Sequence, residues 1–425
     1  MSLFERFEGG DRAVLVQVAL RQAPADGDTQ EFRDLVVSSG TRPVAWVTAT
    51  RHSPDPATFV GAGKLAEIAE AVRRHQADVV LFDHGLTAAQ MRNLEQACRC
   101  RVVDRTQLIL DIFAQRARSH EGKLQVELAQ LSYLSTRLVR GWTHLERQKG
   151  GIGLRGPGEK QLESDRRLIA GRIHQIRRQL EKVRRQREQG RRARRKSEVP
   201  TVALVGYTNA GKSTLFNRLT EANVYAADQL FATLDPTLRR LPLPGGGHLV
   251  LADTVGFIRR LPHHLVAAFH ATLQETREAD LLLHVIDAAD PRHDEAAEHV
   301  QVVLEEIGAG HVPQVRIYNK IDVAGLEPRV EWDDAGRLRS VWLSAATGSG
   351  VDRLQTALGA WFQGEMRRGW LELGPEAGRL RAQLFALGAV RREEPGATGG
   401  WRLEVELPRG RFERLMRSER LPCRC

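Results

Sequence analysis

Along the first 118 residues, short apolar runs alternate with stretches whose apolar positions recur every three or four residues. Ala13–Leu20, Val44–Thr48, Val79–Asp83 and Arg101–Val103 are rich in β-branched and apolar side chains, which predicts strands. Between them, Glu31–Ser38, Lys64–His75 and Thr87–Ala97 have the spacing of amphipathic helices. Such alternation implies a small α/β domain with a mainly parallel sheet. The pattern then changes. Leu124, Leu128, Leu131, Leu134 and Leu138 form one helical stripe, and Leu162, Ile169, Ile173, Ile176, Leu180 and Val183 form a second. Two long helices joined by a loop pack as an antiparallel hairpin. The second, over 161–195, would reach roughly 50 Å at 1.5 Å per residue.

Beyond Pro200 the strand–helix alternation returns and continues to about residue 364. The remainder is a small α+β tail, helix-like at Arg379–Leu387 and Arg411–Met416 and strand-like at Trp401–Leu407. The expected domains are therefore 1–120 (α/β), 121–197 (helical hairpin), 198–364 (α/β) and 365–425 (α+β).

Charge sharpens the hairpin. The chain carries a net +10, yet Arg166–Lys196 alone holds 14 Lys or Arg against two Glu, an excess larger than the whole chain's. A basic block on an otherwise near-neutral body suits a polyanion. The hairpin loop, Gly141–Glu159, has five glycines and one proline in its centre, Gly150–Glu159. Glycine lets a backbone approach another surface closely. A bare linker would account for the glycines but not for flanking Trp142, Arg147, Lys149, Arg155 and Lys160, which suit stacking and phosphate contact. The loop reads as a binding tip. Arg155 and Lys160 there, and Arg184, Arg185, Arg187, Arg191 and Arg192 on the second helix, are the candidate RNA contacts.

Other features narrow the class. No apolar run approaches the roughly 18 residues that span a bilayer. Met1–Gly10 contains Glu5 and Glu8 and lacks the apolar core of a secretory signal. The four cysteines, Cys98, Cys100, Cys423 and Cys425, form C-x-C pairs rather than C-x-x-C, as expected of reduced thiols. A cytoplasmic monomer with no stable membrane association is expected. Phe59–Lys64 contains a G-x-G-K before a helix; a tight turn explains it better than a phosphate site.

The chemistry lies after Pro200. Val202–Val205 is a buried-strand run ending in Gly206-Tyr207-Thr208-Asn209-Ala210-Gly211-Lys212-Ser213, followed by helical Thr214–Leu219. This matches G-x-x-x-x-G-K-[ST] in its required strand–loop–helix context, so successive backbone amides can close around two phosphates. Lys212 would reach the β- and γ-phosphates, and Ser213 would ligate Mg²⁺. Asp253-Thr254-Val255-Gly256 ends the strand His248–Ala252; Asp253 would hold Mg²⁺ and the Gly256 amide would meet the γ-phosphate. Between these lies Phe231-Ala232-Thr233-Leu234-Asp235-Pro236-Thr237, in which Thr233, with Thr237 as competitor, would complete the metal shell.

The base is chosen by Asn319-Lys320-Ile321-Asp322. A buried Asp322 carboxylate accepts hydrogen bonds from guanine N1–H and N2–H₂, donors that adenine lacks, so adenine is rejected by several kcal/mol on the order of magnitude expected for an unpaired buried group. Asn319 would brace the base and the P-loop. Ser344, Ala345 and Ala346 would bring backbone N–H groups to the guanine oxygen. GTP or GDP is thus the expected ligand. Phe257 stands where many small GTPases carry a water-orienting Gln, so hydrolysis should need other help, from a loop, a partner or a monovalent cation such as K⁺ near Asn209.

With these residues in hand, the chain resembles the HflX family of ribosome-associated GTPases. Gly206–Ser213, Phe231–Thr237, Asp253–Phe257 and Asn319–Asp322 carry part of the match. Gly150–Glu159 with Gln161-Leu162-Glu163 and Asp165-Arg166-Arg167 is the more specific part; Lys160 departs from the small hydroxyl residue usual there. The resemblance covers nearly the whole chain. It implies a P-loop GTPase domain preceded by a small α/β domain and a long antiparallel helical hairpin, followed by a small α+β domain. It further implies binding to the large ribosomal subunit and its rRNA, with the glycine loop directed at the peptidyl-transferase region, and splitting of stalled or idle ribosomes under stress. Relatives' N-terminal domains are linked with ATP-dependent or RNA-remodelling activity. A GTP-regulated RNA-binding protein without ribosome specificity fits the charge pattern equally well.

Overall fold

The structure is a computed structural model. It describes residues 10–20, 26–140, 157–196, 199–222, 230–244, 247–259, 270–334, 336–363, 366–386, 388–396 and 399–408. It is of the α/β class.

The N-terminal part has β1 (Arg12–Leu20), α1 (Asp26–Ser38), β2 (Arg42–Arg51), α2 (Ala62–His75), β3 (Val79–Phe82), α3 (Ala88–Cys98), β4 (Arg101–Asp104) and α4 (Arg105–Arg116). The sheet runs β2-β1-β3-β4 with every neighbouring pair parallel. Strands buried on both faces need continuous apolar runs, and Ala13–Ala19 and Val79–Phe82 are buried throughout. Sequence periodicity passed over α4. Its residues Leu108–Phe113 are all buried, because the helix lies between this sheet and the nucleotide-binding part, so no polar face alternates with an apolar one. Gly61, φ −76°, caps α2 without a side-chain bond, and Lys64 in the first turn pairs with Glu67 at 2.8 Å. Cys98 and Cys100 are free, and burial pushes their thiols up to about 11 and about 12.

The hairpin is α5 (His120–Arg140) and α6 (Pro157–Lys196). Leu124, Leu131, Ile169 and Ile176 bury each other, with Leu128, Leu134, Ile173 and Leu180 packed alongside, so these members of the two stripes meet as expected; Val183 is half-buried outside this cluster, and the side chains of Leu138 and Leu162 lie outside the described residues. Arg172 grips Glu127 bidentately at 2.7 and 2.9 Å. α6 starts at Pro157, so the last three residues of the expected loop are helical; Gly141–Gly156, with Arg155, lie outside the described residues.

The central sheet runs β10-β11-β9-β8-β5-β7-β6. Its strands are β5 (Thr201–Gly206), β6 (Thr237–Pro242), β7 (His248–Asp253), β8 (Leu281–Asp287), β9 (Gln314–Asn319), β10 (Arg329–Trp332) and β11 (Leu338–Trp342). β6 and β10, at the edges, are antiparallel to their neighbours; the other pairs are parallel. α7 (Lys212–Thr220) follows β5. The C-terminal part has β12 (Met366–Leu373), β13 (Val390–Pro395) and β14 (Trp401–Pro408), an antiparallel sheet ordered β12-β14-β13, with a helix at Gly378–Ala386. β12 and β13 were not anticipated from the sequence, and the expected helix at 411–416 lies outside the described residues.

One core joins the first and third parts. Phe32, Leu35, Val36 and Phe113 share a buried cluster with Leu230, Phe231, Leu234 and Phe257. Among the described residues no helix is long and apolar enough to cross a membrane.

Candidate nucleotide site

β5 ends at Gly206, whose φ of +148° and place beside Val285 exclude a side chain: a Cβ would stand 2.2 Å from the Val285 carbonyl oxygen. The chain then loops over 207–211 and enters α7 at Lys212. Asn209 (φ +62°) and Gly211 (φ +90°) take left-handed conformations that turn this loop tightly. A Cβ on Gly211 would meet the Asn319 side-chain nitrogen at 2.2 Å, so this glycine makes room for the Asn319 brace.

Thr208, Asn209, Gly211, Lys212, Ser213, Thr214, Phe231, Ala232, Thr233, Thr254 and Gly256 line one cavity. Lys212 is buried and donates from Nζ to the Tyr207 carbonyl at 2.6 Å. Burial lowers its pKa to about 8, against a pull upward from Asp253. Gly256 lies close over this lysine; a Cβ there would be 2.8 Å from Thr208 Cγ2 and 2.9 Å from Lys212 Nζ.

Ser213, Thr233 and Asp253 come together from three separate segments. The Ser213 hydroxyl lies 2.7 Å from that of Thr233 and donates to Asp253 Oδ2 at 2.8 Å; the Thr233 hydroxyl reaches the same oxygen at 2.9 Å. Thr237 instead begins β6 and pairs in register with Asp253, leaving Thr233 as the hydroxyl at this point. Asp253 Oδ1 is buried with no hydrogen-bond partner among the described residues, and burial raises the carboxyl's pKa. An orphaned carboxylate oxygen beside two hydroxyls is a hard-oxygen set, which fits Mg²⁺. Thr254 turns away and donates to the Leu204 carbonyl at 2.5 Å, and Val255 joins the core. Phe257 is buried too. Its amide donates to the Gly206 carbonyl (3.1 Å) and its carbonyl accepts from the Thr208 amide (2.8 Å), so it ties the two loops together.

At the base-recognition end, Asn319 Nδ2 donates to the Ala210 carbonyl at 2.8 Å, and its Oδ1 accepts from the Ala345 amide at 2.8 Å. Asn319 thus braces the P-loop against the Ser344–Ala346 loop, and the Ala345 amide is engaged there rather than left for the guanine oxygen. Lys320, in the left-handed region (φ +65°), pairs with Asp287 at 2.6 Å. Asp322 differs from expectation. It is exposed in the short helix Ile321–Ala324, so the protein does not itself bury the carboxylate, and covering it would fall to the base. Ser344 is buried and its hydroxyl accepts from the Thr347 amide at 3.1 Å.

Two contributors went unnoticed in the sequence. Arg218 on α7 donates to the Ala345 carbonyl at 3.2 Å and also to that of Ala346, holding the third loop against the P-loop helix. Arg259, three residues after Gly256, donates from its side chain to Asp28 (2.9 Å) and Glu295 (3.0 Å), and its amide donates to the Tyr207 hydroxyl at 2.8 Å. An arginine between motifs carries no positional signal until the fold brings its partners near. A cavity of ≈ 170 Å³ opens beside Asn209 toward Glu31, Asp34, Arg259 and Arg292, between the N-terminal and nucleotide-binding parts. Among the described residues no group of three or more His, Cys, Asp or Glu could hold a metal.

The candidate RNA contacts lie elsewhere. Arg184 and Arg185 are exposed on α6, with Arg185 3.6 Å from Glu181. Lys160, Arg187, Arg191 and Arg192 are on the same helix, but their side chains lie outside the described residues.

A family model described as GTP-binding GTPase N-terminal matches residues 26–114, one described as GTP-binding GTPase Middle Region matches 116–194, and one described as 50S ribosome-binding GTPase matches 201–320. The chain is 59% identical over 418 residues to a GTPase HflX of Escherichia coli K12, covering 98% of each. It is 48% identical over 394 residues to a GTPase HflX of Magnetococcus marinus, covering 91% of this chain and 90% of that one. A solved GTP-binding protein from Sulfolobus solfataricus, in complex with GDP, is 23% identical, with 82% of this chain and 97% of that one covered and a TM-score of 0.44. That overlap is too loose to speak for individual residues.

Proposed function

This chain belongs to the HflX family of GTPases, and on that premise we propose that it is a GTP-driven switch acting on the large ribosomal subunit, where it splits stalled or idle ribosomes under stress. GTP binds over the P-loop, with Lys212 and the Gly256 amide at the γ-phosphate and Asp322 at the guanine. Ser213, Thr233 and Asp253 would hold Mg²⁺, which would neutralise phosphate charge there. Phe257 is a core residue, so the help that hydrolysis needs comes from elsewhere; Asn209, exposed at the mouth of the P-loop, is the candidate ligand for K⁺. The protein works in the cytoplasm as a monomer.

The observation that carries this reading is the hairpin. Among the described residues the apolar cluster of α5 and α6 reaches Leu180, and the polycationic stretch follows in the sequence, with Arg184 and Arg185 exposed. A charged helix of this kind, joined to a nucleotide site, suits ribosomal RNA, with the Gly150–Gly158 loop as the ribosome-directed tip. The test is co-sedimentation with ribosomal subunits on sucrose gradients with a GTP analogue, with GDP and without nucleotide. Binding to the large subunit should be strongest with the analogue; equal binding in all three would overturn the switch. Neutralising Arg184, Arg185, Arg187, Arg191 and Arg192 should weaken binding and flatten its salt dependence. Deleting Gly150–Gly158 should abolish ribosome binding but spare generic RNA. If ribosome binding survives that deletion, the protein is a GTP-regulated RNA binder without ribosome specificity.

A further inference from the structure

The segment carrying Thr233 is fastened to the N-terminal part on both sides of that residue. Upstream, the Leu230 amide donates to the Ser38 hydroxyl at 3.0 Å, and Phe231 stands edge-on to Phe113 of α4 with ring centroids 4.6 Å apart. Downstream, Asp235 reaches the root of the hairpin. Its Oδ2 accepts from the Arg118 and Ser119 amides at 2.9 and 2.8 Å, and its Oδ1 accepts from the Ser119 hydroxyl at 2.5 Å. Ser119 Oγ in turn accepts from the Gly122 amide at 2.9 Å, in the first turn of α5. A carboxylate is favoured there by the dipole of the helix start. The fit is close: a Cβ on Gly122 would stand 2.1 Å from Asp235 Oδ1.

Two residues of chain span at most about 7 Å, so Asp235 cannot move far without carrying Thr233 with it. We infer that Asp235 is a positioning residue for GTP hydrolysis: by holding Arg118 and Ser119 it keeps the Thr233 hydroxyl at Ser213 and Asp253, and it transmits the state of that point to the start of the hairpin. The inference rests on the reading of Ser213, Thr233 and Asp253 as the Mg²⁺ ligands. It adds the link by which the third phosphate, sensed through Thr233, reaches α5, and through α5 the basic helix packed on it. Leu230 holds the segment by a single bond to a neutral hydroxyl and Phe231 by apolar contact, which tolerates sliding. Asp235 holds it by directional bonds to a charged acceptor, which does not.

The experiment uses the full-length protein and the variants Asp235→Ala, Asp235→Asn, Ser119→Ala and Thr233→Ala. Binding of a fluorescent non-hydrolysable GTP analogue is titrated with Mg²⁺, GDP affinity is measured beside it, and amide hydrogen exchange is followed over residues 118–123 with analogue and with GDP. Asp235→Ala should raise the Mg²⁺ needed for half-maximal analogue binding about tenfold or more, the scale of a lost charge-assisted hydrogen bond, while GDP affinity stays within about twofold. Exchange at the start of α5 should lose its dependence on the nucleotide. Asp235→Asn, which keeps one acceptor oxygen, and Ser119→Ala, which keeps both amide bonds, should fall between. Retained GDP affinity shows that the variants are folded. If Thr233→Ala shifts the Mg²⁺ titration and Asp235→Ala does not, the inference is wrong and the metal assignment stands. If Thr233→Ala shifts nothing, the metal assignment fails and the inference with it.

Discussion

Two crevices of the same architectural kind face each other in this molecule. Each lies at the carboxyl ends of parallel strands, where the chain's course across the sheet reverses and ligands of open α/β sheets characteristically bind. In the nucleotide-binding sheet the crevice is walled by backbone. Gly206, Gly211 and Gly256 sit where a Cβ would collide, and the buried cation, Lys212, is pushed down to about 8 by its burial. In the N-terminal sheet the equivalent crevice is filled by side chains. Arg105 donates to Asp83 at 2.6 Å, to Glu31 at 2.5 Å and to the Arg259 carbonyl at 2.8 Å, and Gln17 donates to Asp83 at 3.2 Å. Burial works against the charge on Arg105, but Asp83 and Glu31 outweigh it and its pKa is raised. One crevice therefore holds a cation without a full counter-charge, a place for phosphates. The other holds a cation already neutralised, and the residue that closes it, Arg259, comes from the loop following Gly256. The N-terminal crevice serves as a joint between domains in this arrangement.

The comparison can be broken most severely at Arg105. Arg105→Met leaves Glu31 and Asp83 buried without their partner, and should destabilise the protein by about 3–5 kcal/mol in denaturant unfolding. A loss below about 1 kcal/mol would mean that the filled crevice is not what joins the parts. The open crevice is probed through the proton on Lys212. Phosphates raise the pKa of this lysine above its value of about 8, so above that pH binding must take up a proton. GTP affinity should be flat below pH 8 and fall as pH rises beyond it, by up to about tenfold per unit. Calorimetry in two buffers of different ionisation enthalpy at pH 9 should show uptake approaching one proton, and equal heats in the two buffers would contradict the assignment. The smallest effect is expected at the rim. Arg218→Ala frees the Ala345 and Ala346 carbonyls, and should weaken GTP and GDP alike by about tenfold, near 1.4 kcal/mol. Weakening of GTP alone would place Arg218 in the phosphate response instead of the guanine rim.

The sequence by itself determined the elements and the local chemistry. The P-loop, Asp253, Asn319-Lys320-Ile321-Asp322 and the leucine stripe of α5 were legible because strand, loop and helix signals and fixed motif spacing act over a few residues. Proximity in the chain was enough to say that Lys212 and Ser213 share a loop. It put Thr233 ahead of Thr237 but left Thr237 as a competitor. Both are hydroxyls near Asp253 in sequence order, and only the antiparallel pairing of β6 with β7 carries Thr237 into a strand and leaves Thr233 at Ser213. α4 was passed over because a helix buried on all sides has no periodic contrast to read. Asp235, Arg105 and Arg259 were silent for a related reason. A charged side chain becomes a joint only when its partners, more than a hundred residues away for Asp235 and Ser119, are brought within 3 Å. That meeting is a property of the packed core shared by Phe113 and Phe231. Local rules thus set where a phosphate could bind, and long-range packing set what the phosphate is connected to.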